Sequence, residues 1–538
     1  MNKFLVSMLA PMGLCMAVNA ATADTVEARF PQVARHPDNV FTRMFPDLPS
    51  FARQTDSARQ AVQQIGRRHG IFDADDNLSD PLQSLINPAF SPHNPDNPAM
   101  TAGLTFLGQF LDHDITFDKK SLLNANALPM RTVNFRTAAF DLDSVYGDGP
   151  AGSPQLYDAS ARRIKFILQA IAGSEAVSRH GAVRNDVPRD ASGTAIVAES
   201  RNDQNVVISQ LQVAFLSFHN AVTDYLAAQD AYKHASAQRI FSDARRIVTW
   251  HYQWIILHEF LPRTIGQERL DEILQHGLKY YQVHDPVNRI RGPDGRQMPR
   301  IPIEFSAAAF RYGHSQIRPS YRLNFGATGG APFFVFAFDD AQDPASPDPA
   351  DLRGGKRAPR RFVDWQTFFD FGDGNARPNK RIDSKLSSML LALPGSRAPV
   401  PGLPSDGVQS LPVRTLSRAI NFGIPSGQAV ARKMQVPLLA PGDLRDYAPY
   451  ALDSRTTMDT STPLFAYILK EAEVLENGLR LGPVGARIVG EVFVGLLKED
   501  KASYLSANPG WKPTLPSSAP GDFRMRDLLT FAGVVPPL

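Results

Sequence analysis

Cysteine is almost absent from this chain of 538 residues. The single cysteine, Cys15, excludes a network of disulfide bonds and any zinc or iron–sulfur site built from several cysteines. An excess of charge is also missing, because 57 lysine and arginine residues face 54 aspartate and glutamate residues, for a net charge of +3. A dedicated nucleic-acid-binding protein would show a strongly basic face, so we expect no nucleic acid among the partners.

Long hydrophobic runs are missing except at the start of the chain. Residues 1–23 combine a lysine at position 3, an apolar run over residues 4–18 and the small residues Ala21 and Ala23. This order predicts a cleavable export signal over residues 1–23, followed by one domain over residues 24–538 in a secreted or periplasmic protein. The run is shorter than the ~20 apolar residues that a membrane-spanning helix needs, so we expect no membrane span.

Helical periodicity dominates the rest of the sequence. Apolar residues recur at steps of three and four over residues 208–225 and 240–260, and Pro262 is expected to end the second helix. Shorter helical patterns cover residues 104–115, 386–393, 463–475 and 484–498, with proline- and glycine-rich loops between them. Strict alternation is rare. The sequence predicts a mainly α fold, one large helical, loop-rich domain with little β structure.

The first segment whose side chains could take part in catalysis or metal binding is residues 105–114, which read TFLGQFLDHD. On a helix, Gln109, Asp112 and His113 share one face. Two carboxylates beside a histidine are costly to bury without partners. Taken alone, the segment fits either a surface turn of a helix or a metal-ligand pair formed by His113 and Asp114.

Three further segments carry polar side chains in an apolar context. Residues 137–143 place oxygen-bearing side chains at Thr137, Asp141 and Asp143, which suits calcium as well as an ordinary acidic turn. Residues 309–317 read AFRYGHSQI and contain His314 in an aromatic, polar cluster. Arg201 precedes the long helical pattern, where a capping segment is the simpler interpretation.

Together and in this order, the segments resemble the animal haem peroxidase (peroxidase–cyclooxygenase) superfamily, especially its bacterial secreted members. Residues 106–114 are similar to its distal-histidine helix, residues 141–147 to its calcium loop, and residues 201–203 to the segment of its distal arginine. Residues 310–314 are similar to its proximal-histidine helix, and residues 423–427 to the turn after a late helix. The resemblance spans roughly residues 40–500.

The resemblance implies a peroxidase that binds haem b and calcium, reduces hydrogen peroxide, and oxidises a small anionic or phenolic electron donor such as a halide or thiocyanate. His113 would be the distal acid–base, Arg201 its partner, Gln109 a residue of the distal pocket, and His314 the axial ligand of the haem iron. The haem propionates would meet Arg311 and Arg418, because a guanidinium pairs well with a carboxylate. The implied calcium ligands are Asp114, Thr137, the carbonyl of Ala139, Asp141 and Asp143.

Three positions depart from the family pattern. Gln204 replaces a glutamate that esterifies haem, and Asn205 replaces a methionine that forms a sulfonium link, so neither bond can form here. Asp112 matches the other esterifying residue, which leaves at most one covalent link. Thr415 stands where an asparagine orients the proximal histidine, and its hydroxyl is expected to accept a hydrogen bond from that imidazole.

Other functions remain open at this stage. A fatty-acid dioxygenase of the same superfamily would need a radical-bearing tyrosine three residues before the proximal histidine, where this chain has Arg311. A metal-dependent hydrolase would combine His113 and Asp114 with further ligands among His219, His251 and His258. A protein that binds haem without turning over peroxide is the third alternative.

Overall fold

A computed structural model describes residues 39–119, 121, 127–291, 297–339, 341–343, 345–393 and 408–535. The predicted export signal over residues 1–23 lies outside these residues. The prediction of a mainly helical, loop-rich fold is confirmed, because helices carry most of the regular structure and the sheets are small.

The helices are distributed along the whole described chain. In chain order they are α1 Asp56–Gly66, α2 Pro81–Ile86, α3 Ala102–Ile115, α4 Asp143–Tyr146, α5 Gly149–Gly152, α6 Ser174–Val177, α7 Val206–Ala227, α8 Ala237–Ile255, α9 Leu261–Ile265, α10 Gln267–His276, α11 Ile303–Ser306, α12 Leu411–Phe422, α13 Gly427–Met434, α14 Leu464–Glu476, α15 Pro483–Glu499, α16 Tyr504–Ala507 and α17 Met525–Phe531.

The strands form short antiparallel pairs. They are β1 Asp96–Thr101, β2 Gln169–Ala170, β3 Asn185–Asp186, β4 Arg289–Arg291, β5 Gln297–Pro299, β6 Ser320–Asn324, β7 Phe333–Phe336 and β8 Pro378–Lys380. In the described part of the chain, each sheet has two strands, pairing β1 with β8, β2 with β3, β4 with β5 and β6 with β7. The helices supply most of the core, to which β6 and β7 add buried residues such as Leu323 and Val335.

The centre of the core is α7, which is apolar on nearly every face. Ile208, Leu211 and Phe215 are completely buried. Helix α3 lies against it, and the rings of Phe110 and Phe215 stack with centroids 4.7 Å apart. Helix α8 packs along another side of α7. This packing holds α3, which carries the predicted distal residues, rigidly inside the protein.

Helix α7 also has the length and composition of a membrane-spanning segment. In the part of the chain that the structure describes, it is the one helix with both properties, and 89% of its most apolar window is buried inside the protein. Its apolar character is therefore explained by its central position in the core.

The prediction that Pro262 ends the second long helix is wrong. A π-helical turn, Ile256–Phe260, follows α8 and leads directly into α9, which contains Pro262 in its first turn. A proline inside a helix leaves the carbonyl four positions earlier without its usual donor, and here Arg524 donates to that carbonyl, which belongs to His258. The π-helical turn thus lets the chain remain helical from residue 237 to residue 265.

Two shorter helical predictions also change in the structure. The pattern over residues 386–393 is only a 3₁₀ turn, Ser388–Leu391, and the segment around His314 is a 3₁₀ turn, Ala309–His314, which follows α11. Gly423 ends α12 with φ +62°, a conformation that glycine adopts at little cost. The remaining predicted helices correspond to α3, α14 and α15 within a few residues.

Candidate functional site

A cavity of about 230 Å³ lies between α3 on one side and the turn that carries His314 on the other. His113 and His314 both line it, although 201 positions separate them in sequence. Aromatic and aliphatic side chains form much of the remaining wall. The predicted residues that also line it are Gln109, Asp112, Arg201, Gln204, Arg311 and Arg418, together with Asn205.

The imidazole of His113 is oriented by one hydrogen bond. Its Nδ1 lies 2.9 Å from Oδ1 of Asn202, whose own amide donates to Gln212 at 2.8 Å. Asn202 Oδ1 can only accept, so Nδ1 carries the proton and Nε2 is left as an unprotonated base. Burial and the nearby Arg201 guanidinium lower the pKa of His113 to about 4. The side chain is therefore a neutral base at neutral pH.

The guanidinium of Arg201 is held in place from two sides. Its Nε and one terminal nitrogen donate to Glu199 at 3.0 and 3.1 Å, and the same terminal nitrogen contacts the carbonyl oxygens of His113 and Thr116 at 3.1 and 2.6 Å. Glu199 is fully buried, and although burial alone would raise its pKa, Arg201 and Arg136 lower that pKa to about 2. Glu199 thus fixes a positive charge beside His113.

Arg136 connects this pair to a second group of carboxylates. Its Nε lies 3.0 Å from Glu199, and another of its nitrogens donates to Asp143 at 2.9 Å. Arg136 is only 7% exposed. Both of its carboxylate partners are buried as well, so the three groups form one continuous chain of ion pairs with Arg201.

Three carboxylates converge at the loop before α4. Each of Asp114, Asp141 and Asp143 offers an oxygen within 4.8 Å of the others. Burial and the neighbouring Asp143 raise the pKa of Asp114 to about 7, and burial raises the pKa of Asp141 well above its usual value. Such crowding of buried negative charge is costly without a cation, and oxygen ligands of this kind suit calcium.

The neighbours of these carboxylates hold the loop in shape. Asp114 accepts hydrogen bonds from Tyr252 at 3.1 Å, from Ser144 at 2.7 Å and from the backbone of Leu142 at 3.2 Å. The backbone N–H of Thr137 donates to Asp143 at 3.1 Å. Thr137 therefore contacts the carboxylate cluster through its backbone N–H.

On the opposite side of the cavity, His314 has an imidazole with no hydrogen bond at Nδ1. This nitrogen is buried and has no partner among the residues that the structure describes. The prediction that Thr415 accepts its proton is wrong, because Nδ1 has no partner in the described part of the chain and the Thr415 hydroxyl instead contacts the carbonyl of Leu411 at 3.1 Å. A threonine on a helix readily satisfies its hydroxyl on the preceding turn, whereas the longer asparagine reaches further.

The ring of His314 is neutral. Burial, with a smaller contribution from Arg311, lowers its pKa to about 3. A neutral imidazole in a cavity is the form that binds a metal such as the iron of haem. The residues present therefore fit haem.

Asp112 lies between two guanidinium groups. One of its oxygens accepts from Thr116 at 2.8 Å, and the other lies 3.6 Å from Arg311 and 3.9 Å from Arg201. Burial alone would raise the pKa of Asp112, but the two arginines hold it below its usual value. Asp112 is therefore an ionised carboxylate at the cavity wall.

The three histidines that a metal-dependent hydrolase would need as further ligands make contacts with other groups. His219 contacts the Tyr146 hydroxyl and the Ile164 carbonyl at 3.0 and 2.9 Å. His251 contacts backbone groups through both nitrogens, and His258 stacks on Trp254. Among the described residues, no set of possible metal ligands includes His113 with any of them. This arrangement does not support the hydrolase.

Sequence reasoning missed several residues that hold the site together. Asn202, Glu199, Arg136 and Tyr252 contact His113, Arg201, Asp143 and Asp114 respectively. Asn202 and Glu199 are within two positions of Arg201, so their proximity to it could have been inferred. Arg136 and Tyr252 give no local signal.

The family model of animal haem peroxidases matches residues 119–331. This range contains Arg201 and His314 but begins after α3, so it leaves out Gln109, Asp112 and His113. Human thyroid peroxidase is 26% identical over 251 residues, which is 44% of this chain and 25% of that protein. A chorion peroxidase of Aedes aegypti is 30% identical over 150 residues, which is 27% of this chain and 17% of that protein. The matched stretches thus span a quarter or less of these relatives.

Solved structures with the same fold cover most of the chain. Peroxidase A from Dictyostelium discoideum aligns over 86% of this chain and 88% of its own, with a TM-score of 0.54 and 16% identity. A fatty acid alpha-dioxygenase from Oryza sativa aligns over 96% of this chain and 87% of its own, with a TM-score of 0.52 and 14% identity. At this identity the two neighbours show a shared fold and do not discriminate between peroxidase and dioxygenase.

Proposed function

We propose that the chain is a member of the animal haem peroxidase superfamily and a haem-dependent peroxidase, which reduces hydrogen peroxide and oxidises a small anionic or phenolic donor. One observation carries the proposal: His113 presents an unprotonated Nε2 and His314 a neutral imidazole to the same cavity.

The residues that would hold haem follow from this geometry. His314 would bind the iron, and Arg311 and Arg418 would pair with the propionate carboxylates. Asp112 is the one carboxylate at the positions that carry covalent links in the family, so we propose at most one ester link. Haem, when bound, supplies the redox chemistry of peroxide reduction and donor oxidation.

The protein supplies proton transfer and charge stabilisation. His113 Nε2 takes a proton from one oxygen of hydrogen peroxide and returns it to the other oxygen, the leaving group, as a general base and then a general acid. Arg201 stabilises the negative charge that develops when the O–O bond breaks. Glu199 keeps Arg201 in position, and Asn202 keeps the proton of His113 on Nδ1.

Calcium is the second cofactor of the proposal. Asp114, Asp141 and Asp143 would bind it, with Thr137 and the carbonyl of Ala139 as further ligands. When all three carboxylates are ionised, they and Arg136 together carry a charge of −2, which one calcium ion would neutralise. Asp114 directly follows His113, so the ion would stabilise the end of α3.

A dioxygenase remains the less supported alternative. In a 3₁₀ turn the residue three positions before His314 shares its face, and that residue is Arg311, which cannot form a tyrosyl radical. The neighbouring Tyr312 is offset on the turn, and its hydroxyl lies 3.3 Å from that of Thr264. The peroxidase therefore accounts better for the residues present.

The test compares peroxide-dependent oxidation of iodide and of a simple phenol by the wild-type protein and by His113→Ala. General acid–base catalysis of this kind contributes about 10²–10⁴-fold, so we expect a loss of that order with haem content unchanged. His93→Ala, at an exposed histidine, is the matched control and should keep full activity. An undiminished rate in His113→Ala, or faster oxygen consumption with a fatty acid and no peroxide, would refute the proposal.

A further inference from the structure

The side-chain amide of Gln109 is hydrogen-bonded to Asn205. Asn205 stands where related enzymes have the methionine that forms a sulfonium link to haem. We propose that Asn205 is a positioning residue, which turns the NH₂ group of Gln109 into the cavity and makes that cavity selective for an anionic donor. The inference rests on the proposed function, since this cavity is the proposed haem site.

The orientation of Asn205 follows from a backbone donor. Asn205 caps the N-terminus of α7, and its Oδ1 accepts a hydrogen bond from the N–H of Ile208 at 2.9 Å. A backbone N–H can only donate, so the bonded side-chain atom is the oxygen and the other terminal atom is the nitrogen. Asn205 is 4% exposed, and its helix is central to the core, so this arrangement has little freedom.

The orientation of Gln109 follows in turn. Asn205 Nδ2 lies 3.3 Å from the amide of Gln109. Because Nδ2 can only donate, the facing atom of Gln109 is Oε1, and Nε2 with its two hydrogens is turned away from Asn205. The Ile208 N–H therefore fixes the orientation of the Asn205 amide, and the Asn205 NH₂ group in turn fixes the orientation of the Gln109 amide.

The free NH₂ group belongs to a side chain at the cavity wall, where an anionic donor would accept a hydrogen bond from it. Gln109 lies one helical turn before His113, and both side chains line the cavity. Among the residues that the structure describes, no acceptor bonds to Gln109 Nε2. An anion accepts a hydrogen bond from this group, whereas a carbonyl oxygen in the same place would repel it. A neutral phenol depends much less on this choice.

Two substitutions separate orientation from charge. Asn205→Asp keeps a strong helix cap but removes the donor, and its second oxygen accepts from Gln109 Nε2, so Oε1 then faces the cavity. Asn205→Ser also keeps the cap, adds no charge and is too short to reach Gln109. We expect the thiocyanate Kd of the haem-loaded protein, measured by spectral titration, to rise at least tenfold in Asn205→Asp and several-fold in Asn205→Ser.

A positioning role, unlike a structural one, should leave several measured properties unchanged. The melting temperature, the haem content and the KM for a neutral phenol should stay close to wild type in both variants, while the ratio of thiocyanate to phenol oxidation falls. A wild-type Kd in both variants would overturn the inference. So would a loss confined to Asn205→Asp, because the added charge alone would explain it. A wild-type protein that binds no haem would instead refute the proposed function, and this inference with it.

Discussion

Replacing Arg136 by methionine tests the link between the distal arginine and the acidic cluster. Arg136 is buried between Glu199 and Asp143, with its nitrogens 3.0 and 2.9 Å from their oxygens. Removing one partner of a buried ion pair costs about 3–5 kcal/mol, because the remaining charge stays buried without compensation. Glu199 keeps its two hydrogen bonds from Arg201. We therefore assign about half of the cost, roughly 2 kcal/mol, to Asp143.

Calcium should change this cost. A calcium ion bound by Asp143 replaces the positive charge that Arg136 supplied, so Arg136→Met should lose about 3–5 kcal/mol of unfolding free energy in EDTA and roughly 2 kcal/mol less in saturating calcium. The thermodynamic cycle then requires the variant to bind calcium about 2 kcal/mol more tightly, which is roughly a 30-fold lower Kd. Denaturant unfolding under both conditions and calcium titration calorimetry measure the two sides of the cycle independently.

Two control variants make the test specific. Arg318→Met removes another buried arginine, whose nitrogen lies 2.7 Å from Asp96 and 2.8 Å from the Pro378 carbonyl, and should destabilise the protein equally with and without calcium. Arg136→Lys keeps the charge and should leave the calcium Kd near wild type. If folded Arg136→Met binds calcium no more tightly than wild type, or loses the same stability in both conditions, the reasoning is wrong.

The other predictions concern calcium and pH. Chelation of calcium from the wild-type protein should lower the melting temperature, because an ion that binds only the folded state stabilises it by mass action, and an unchanged melting temperature with no calcium by metal analysis would contradict the site. Burial lowers the pKa of His219 to about 4, against 6.5 in the unfolded chain, so the unfolded state binds an extra proton and stability falls as pH drops through this window. His219→Gln should flatten that fall in denaturant titrations by up to about 3 kcal/mol, and an unaltered pH profile would contradict this.

Local patterns were the most predictable part of the molecule. The shared face of Gln109, Asp112 and His113 follows from helical spacing alone, and all three side chains line the cavity. The acidic loop could be predicted equally well, since Asp141 and Asp143 lie two positions apart in sequence. In the structure the carboxylate of Asp114 lies close to both. In both cases residues that are close in sequence share one turn or one face.

Contacts between distant segments could not be predicted in the same way. Tyr252 on α8 meets Asp114 on α3 because both helices pack against α7, and Arg136 meets Glu199 although 63 positions separate them in sequence. Pro262 was misjudged because the π-helical turn before it depends on the surrounding packing. Thr415 was misjudged because whether its hydroxyl reaches His314 depends on how two distant segments pack, which the sequence does not reveal.

Haem binding through His314 is tested most directly by the absorption spectrum of the protein after reconstitution with haem b. We expect one haem per chain with the spectrum of a histidine-ligated ferric iron, an altered spectrum in His314→Ala, and recovery of the wild-type spectrum when imidazole is added to that variant. His93→Ala should match the wild type. A wild-type chain that binds no haem, or a His314→Ala spectrum identical to wild type, would contradict the assignment of His314 and of the cavity.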